Sequence, residues 1–244
     1  MTTTEVPTVD QAVSRMEQLQ AQAASGDGVA VFNGMYLTVT RLVRDRLASA
    51  WFARPAAMAE LDGLFAARYL AAVDAAAAGL RPPACWRPLF ELRRHPGVHP
   101  LQFALAGMNA HIEHDLPLAV LDTCALLGLE PEQLSADYER INLLLAQVEA
   151  EVREELLPSP AELRVVDPLL HVLGVWSIDR ARDAAWASVL GLWELRASPG
   201  VFETVTAALS GSVGMVGRAL LTPLNGAGRP PAGAGSRPVA CERG

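Results

Sequence analysis

The chain has 244 residues, of which 51% are hydrophobic and only 19% charged, and its formal net charge is −7. The charge content lies below the roughly 25% usual for a soluble domain, which points to a wide buried interior, a cavity or a partner surface. The acidic balance argues against nucleic-acid binding, which needs clustered positive charge. Every cationic side chain is arginine, so the missing lysine excludes Schiff-base chemistry, lysine-linked pyridoxal phosphate and a Walker A loop. The three cysteines, Cys85, Cys124 and Cys241, are widely spaced, which fits a reducing cytoplasm better than a disulfide framework or a zinc knuckle. Residues 1–8 read as a flexible leader without signal-peptide character. No uncharged apolar run reaches the ~18 residues of a membrane span.

In chain order, helical periodicity predicts helices over Val9 to Ala24, Val29 to Ala50, Pro55 to Gly79 and Cys85 to Arg94. A loop containing His95 and His99 follows. Further helices are expected over Leu101 to Asp115, Leu118 to Leu127, Pro131 to Leu157, Pro168 to Leu173, Ile178 to Arg196 and Val201 to Leu221. Pro117 is read as a helix break, because a residue preceding proline disfavours the helical region. No run alternates as a strand would. Residues 223–244 are rich in Gly and Pro and read as a disordered tail. The expectation is an all-α, single-domain bundle of about eight to ten helices spanning residues 9–222.

The segment from Gly107 to Pro117 carries the chemistry. At ~100° per residue, His111 and Asp115 share the face of Leu105, Met108 and Ile112, with His114 at its edge. Gln102, Asn109 and Glu113 fall on the opposite side. A His and an Asp one turn apart can hold one metal ion, and imidazole with carboxylate suits zinc or iron. The expected ligands are His111, Asp115, His114 and also His171, which lies four residues after Asp167. Asp167 alternatively caps a helix at Pro168. An inward carboxylate at Asp62 and a buried Asp179–Arg182 pair are further catalytic candidates with His114, and Arg182 would hold an anionic substrate group. Asn33, Tyr36, Tyr69 and Trp186 are the candidate substrate-lining residues.

These residues support a metal-dependent enzyme, a hydrolase, that acts on a small, partly apolar molecule. The alternative is a metal-free cyclase or isomerase of secondary metabolism, with His111 and Asp115 as acid and base in an apolar cavity. A non-enzymatic binding protein is the third reading. Its surface would be the last helix at Gly211, Gly214 and Gly217, where the small residues let another helix approach. A homo-oligomer is compatible with the low charge content.

Three resemblances add to this. The dipeptide His114-Asp115 is similar to that of the helical HD phosphohydrolases, which implies an earlier His (His95 or His99) and a later Asp (Asp167 or Asp179) as partners. The pattern Gly107, His111, Asp115, Pro117 resembles the metal-binding helix of the zinc-dependent phospholipase C and P1-nuclease group. It implies an all-helical hydrolase in which His111 and Asp115 hold zinc. The whole chain resembles an uncharacterised family of bacterial all-helical proteins, through Ala110-His111-Ile112-Glu113-His114-Asp115-Leu116-Pro117 and the run Trp176 to Arg182. That resemblance implies no activity.

Overall fold

The computed structural model describes residues 6–156 and 177–223. Among them the chain is helical and contains no strand. The helices are α1 (Val9–Gln22), α2 (Gly28–Leu47), α3 (Pro55–Ala77), α4 (Arg87–Leu92), α5 (Pro100–Ala110), α6 (Leu116–Leu127), α7 (Ser135–Leu156), α8 (Ile178–Leu195) and α9 (Pro199–Leu220). The expected helix over Pro168 to Leu173, with Asp167 and His171, lies outside the described residues, as does the tail beyond residue 223. Of the leader, residues 6–8 are described. Thr8 closes a capping box with Gln11 at the start of α1. The carbonyl of Pro7 lies where a Cβ on Gly63 of α3 would sit.

The bundle is organised around α5, which is buried on every side. One side packs on α2 and the other on α9. The approach to α2 is close, and a Cβ on Gly107 would stand 2.3 Å from the Phe32 ring. This arrangement corrects the reading of Gln102 and Asn109 as an outer, polar face. Both are buried, and both reach the backbone of the last helix: Gln102 donates to the carbonyls of Leu220 and Thr222, and Asn109 to that of Val213. A helical wheel offers only an inside and an outside, whereas a central helix has two insides. The polar positions therefore serve α9.

Of the three α9 glycines Gly211, Gly214 and Gly217, two prove to be internal packing. Gly214 and Gly217 are buried, and a Cβ on Gly214 would meet the Ala84 carbonyl at 2.4 Å. Among the described residues no helix is long and apolar enough to cross a membrane.

Candidate functional site

Pro117 does not break the helix. The chain runs from α5 into α6 through a π-helical turn, His111–Asp115, with Leu116 N–H donating to the carbonyl of His111. Proline has no N–H to offer the preceding turn, and the widened turn accommodates it in the first turn of α6. Such π turns inside α-helices are frequent at functional sites. The widening advances each residue by less than the ~100° of an α-helix. Asp115 is thereby brought more nearly beneath His111 than the α-helical wheel predicts.

Asp115 is 2% exposed, and its carboxylate is the hub of the site. Oδ2 accepts from Nδ1 of His111 at 3.1 Å and from the Trp86 indole N–H at 2.9 Å. Oδ1 accepts from Nδ1 of His114 at 2.8 Å. Burial pushes the carboxyl up, but the hydrogen bonds it accepts from His111 and His114 outweigh that and hold Asp115 below its ordinary range. Burial also pulls His111 down, against the opposing pull of Asp115. The neutral ring then donates its Nδ1–H as a hydrogen bond to Asp115 and keeps a lone pair at Nε2.

That Nε2 atom is buried and has no hydrogen-bond partner. The His111 ring sits in an aromatic cage. Phe65 stacks on it at 3.5 Å between centroids and 5° between planes, and Tyr36 meets it edge-on at 4.3 Å. Phe32, Tyr69 and Trp86 complete the cage at centroid distances of 5.8, 6.1 and 6.0 Å. Two more polar atoms of this region are buried without partners, the Tyr36 hydroxyl and Oδ2 of Asp62. Asp62 stands one turn before Phe65 on α3, and burial pushes its carboxyl up to about 7. Burial, then the nearby Asp62 carboxylate, raises the Tyr36 phenol well above its usual range. Buried polar atoms are nearly always hydrogen-bonded, so three orphans in one region are an anomaly of the kind that functional sites produce.

Cys85 joins the cluster from the turn before α4. Its thiol, His114 and Asp115 each place a ligand atom within 4.8 Å of the other two. Burial first, then the Asp115 charge, pushes the thiol up to about 12, so Cys85 is protonated in the absence of a cation. Sequence reasoning missed Cys85, Trp86 and Phe65 as site residues. Nothing in their spacing connects them to His111, because α3 and the chain before α4 deliver them from far away in sequence.

The other candidates fall elsewhere. Asn33 is spent on structure: it donates to the Met16 carbonyl and the Gln20 side chain, and accepts from the Tyr69 hydroxyl at 3.2 Å. Tyr69 thus uses its hydroxyl on α2 and offers the cage its ring. Asp179 is exposed, so it is not half of a buried pair with Arg182. It lies in the first turn of α8, where a carboxylate faces the helix N-terminus. Arg182 is buried but bound to α7. It donates to Asn142 and to the Tyr138 carbonyl, and its guanidinium lies 4.0 Å over the Tyr138 ring. Trp186 packs on the same Tyr138, with centroids 4.7 Å apart. His95 accepts from Gly97 N–H within its own turn and His99 caps α5, and among the described residues neither joins the grouping of Cys85, His114 and Asp115.

An all-helical protein with a buried carboxylate holding two imidazoles is thus defined by fold and site. The chain belongs to a family of unknown function, DUF5995, whose model matches residues 9–223. No curated protein and no solved structure matches the chain.

Proposed function

We propose that this protein is an enzyme that moves protons on a small, partly apolar substrate, with His111 as the base and Asp62 as the acid. The observation that carries this reading is the Asp115-held imidazole whose Nε2 is buried and unpartnered. A carboxylate at Nδ1 fixes tautomer and ring orientation and stabilises the imidazolium that forms when Nε2 takes a proton. Environments that push neighbouring titratable groups apart mark acid and base assignments. Here His111 is pulled down and Asp62 pushed up to about 7, so the two are poised for opposite roles near neutrality. In the reaction, Nε2 takes a proton from an acidic C–H while Asp62 or the Tyr36 hydroxyl donates one to the oxygen that gains charge. Return of the His111 proton to another carbon, as the enol hydroxyl gives its proton back to Asp62, completes an isomerisation; attack of the enol carbon on a second carbonyl of the substrate, whose C=O π bond breaks and whose oxygen takes the His111 proton while the enol hydroxyl reprotonates Asp62, completes a cyclisation.

The test is hydrogen–deuterium exchange at carbon, followed by proton NMR in deuterated water. The probes are small apolar ketones and β-keto esters. Wild-type protein should accelerate exchange, His111→Asn should lose that acceleration, and chelator should leave it intact. No acceleration with any probe, or acceleration unchanged in His111→Asn, would sink the reading.

A metal-dependent hydrolase, with zinc or iron, remains the second reading, and the grouping of Cys85, His114 and Asp115 favours it. A Cys, a His and a carboxylate are a suitable donor set for zinc. Against it, both Asp115 oxygens are already engaged by Trp86, His111 and His114. Metal content measured by inductively coupled plasma mass spectrometry discriminates. Near-stoichiometric zinc or iron in wild type, lost in both Cys85→Ser and His114→Ala, would move the assignment to this reading.

A further inference from the structure

We propose that the groove between α9 and the segment 81–91 binds an organic anion, an oxyanion head group on a short apolar body, with Arg81 and Arg87 receiving the head. The groove has a volume of about 510 Å³, within the range of small-molecule sites. It is separate from the His111 centre and owes nothing to how that centre reacts.

The chain leading into α4 has two sides. Cys85 and Trp86 turn inward, at 1% and 0% exposure, and Trp86 reaches Asp115. Ala84, Arg87 and Pro88 line the groove instead. The opposite wall is α9, through Gly211, Gly214 and Met215. Gly214 lets the two walls meet, since the Ala84 carbonyl lies where its Cβ would stand. Gly211, one turn earlier, has no such reason to be glycine, because a Cβ there would meet nothing within 4 Å. A glycine inside a helix costs stability relative to alanine. Packing does not require this one, and its effect is to keep the groove open.

The lining divides by chemistry. Pro82, Pro88, Phe90 and Met215 supply an apolar floor, and Met215 is left 70% exposed. The charges are three arginines, Arg81, Arg87 and Arg218, against one acid, Glu91. Glu91 is taken by Arg218. Arg87 spends its Nε on the Pro82 carbonyl at 3.1 Å, which fixes the guanidinium and leaves its two amino groups to the groove. Among the described residues no carboxylate pairs with Arg81 or Arg87. Elsewhere in this acidic chain arginines such as Arg15, Arg41, Arg68 and Arg93 do reach carboxylates. A guanidinium fork matches the paired oxygens of a carboxylate or phosphate, and the apolar floor beside it takes the body. A cation in this groove would meet two unpaired arginines, and a neutral molecule would leave them unanswered.

The test is a heteronuclear NMR titration of the full-length, nitrogen-15-labelled protein at about pH 7, where a carboxylate is ionised. The probes are sodium hexanoate, hexyl phosphate, 1-hexanol and hexylammonium chloride. Both anions should shift the amide resonances of Glu91, Gly211 and Gly214. They should bind at least about tenfold more tightly than hexanol, as a charge-assisted bond requires, and hexylammonium should not bind. Tighter binding of hexanoate assigns a carboxylate head and tighter binding of hexyl phosphate a phosphate head; either result bears out the anion site. The double variant Arg81→Gln/Arg87→Gln should weaken the anions by about tenfold or more without weakening hexanol. Gly211→Leu places a side chain in the open groove and should abolish binding of the anions. Amide resonances remote from the groove, unchanged from wild type, show that each variant is folded.

The site is overturned if neither anion shifts these amides, or if hexanol or hexylammonium binds as tightly. Unaltered binding in the folded double variant removes the arginines, and unaltered binding in folded Gly211→Leu removes the groove; each overturns the assignment. So does sodium acetate or inorganic phosphate binding as tightly as the hexyl compounds, since the apolar floor would then contribute nothing.

Discussion

Two buried polar clusters, one around Arg182 and one around Asp115, look alike in sequence and differ in their hydrogen-bond accounts. Arg182 sits on α8 and spends its donors on the Tyr138 carbonyl and Asn142, while Tyr138 returns its hydroxyl to the Arg182 carbonyl at 2.8 Å. Every group named there has a partner, and the result ties α7 to α8. The Asp115 cluster satisfies its own carboxylate yet leaves His111 Nε2, Tyr36 Oη and Asp62 Oδ2 without partners. A satisfied network rigidifies a core. An unsatisfied one costs stability and persists where something else requires it. The contrast teaches that burial alone does not distinguish a structural cluster from a reactive one, whereas the unspent bonding capacity does.

The comparison breaks most visibly at its hub. Asp115→Asn should cost about 3–5 kcal/mol, as removing one partner of a buried charged network does, and should abolish carbon exchange. Urea unfolding and the exchange assay read the two effects. A mild loss of stability with exchange retained would mean that Asp115 does not hold the site.

Asp62 gives a test through pH. Its carboxyl is raised from an ordinary 3.8 to about 7 in the folded protein, so between those values the native state holds the proton more tightly than the unfolded chain. Stability contributed by the neutral acid is therefore complete at low pH and lost as pH rises through that window, by on the order of 4 kcal/mol in all. Asp62→Asn mimics the protonated acid and should flatten this decline. Unfolding free energies compared at about pH 5 and about pH 8 check it, and equal slopes in both proteins would remove Asp62 from the account.

The structural cluster supplies the counter-case. Arg182→Met should cost about 2–3 kcal/mol, since it leaves the buried Tyr138 carbonyl and the half-buried Asn142 without the donor they share. It should leave exchange per folded molecule unchanged. The smallest effect belongs to Tyr36→Phe. Its hydroxyl has no partner to lose, so chemical denaturation should show no destabilisation, or a gain of up to about 1 kcal/mol, while exchange slows.

Much of the fold was legible before the structure. The boundaries of α1, α2, α3 and α8 fall within a few residues of those that periodicity and Gly or Pro signals set, because local propensity and capping decide where a helix stops. Pro117 misled, since the rule for the residue before proline holds for α-helical geometry and the chain answered with a π turn. Of the site, the pairing of His111 with Asp115 was legible from their spacing, and the inward carboxylate at Asp62 from its apolar stripe. The supposed Asp179–Arg182 pair failed because neighbouring residues on one helix turn can face different environments: Asp179 faces water and Arg182 faces α7.

By itself, then, the sequence determined an all-helical protein with a His/Asp cluster at the C-terminal end of one apolar helix. Those features are local and depend on residues within a turn or two of each other. The tertiary structure alone decided that α5 is central and that Trp86 and Cys85 meet Asp115. It alone brought Phe65 and Tyr36 against His111 and tied Arg182 to another helix. Each of these contacts joins residues far apart in sequence, and only the packing of α2, α3 and α9 around α5 brings such residues together.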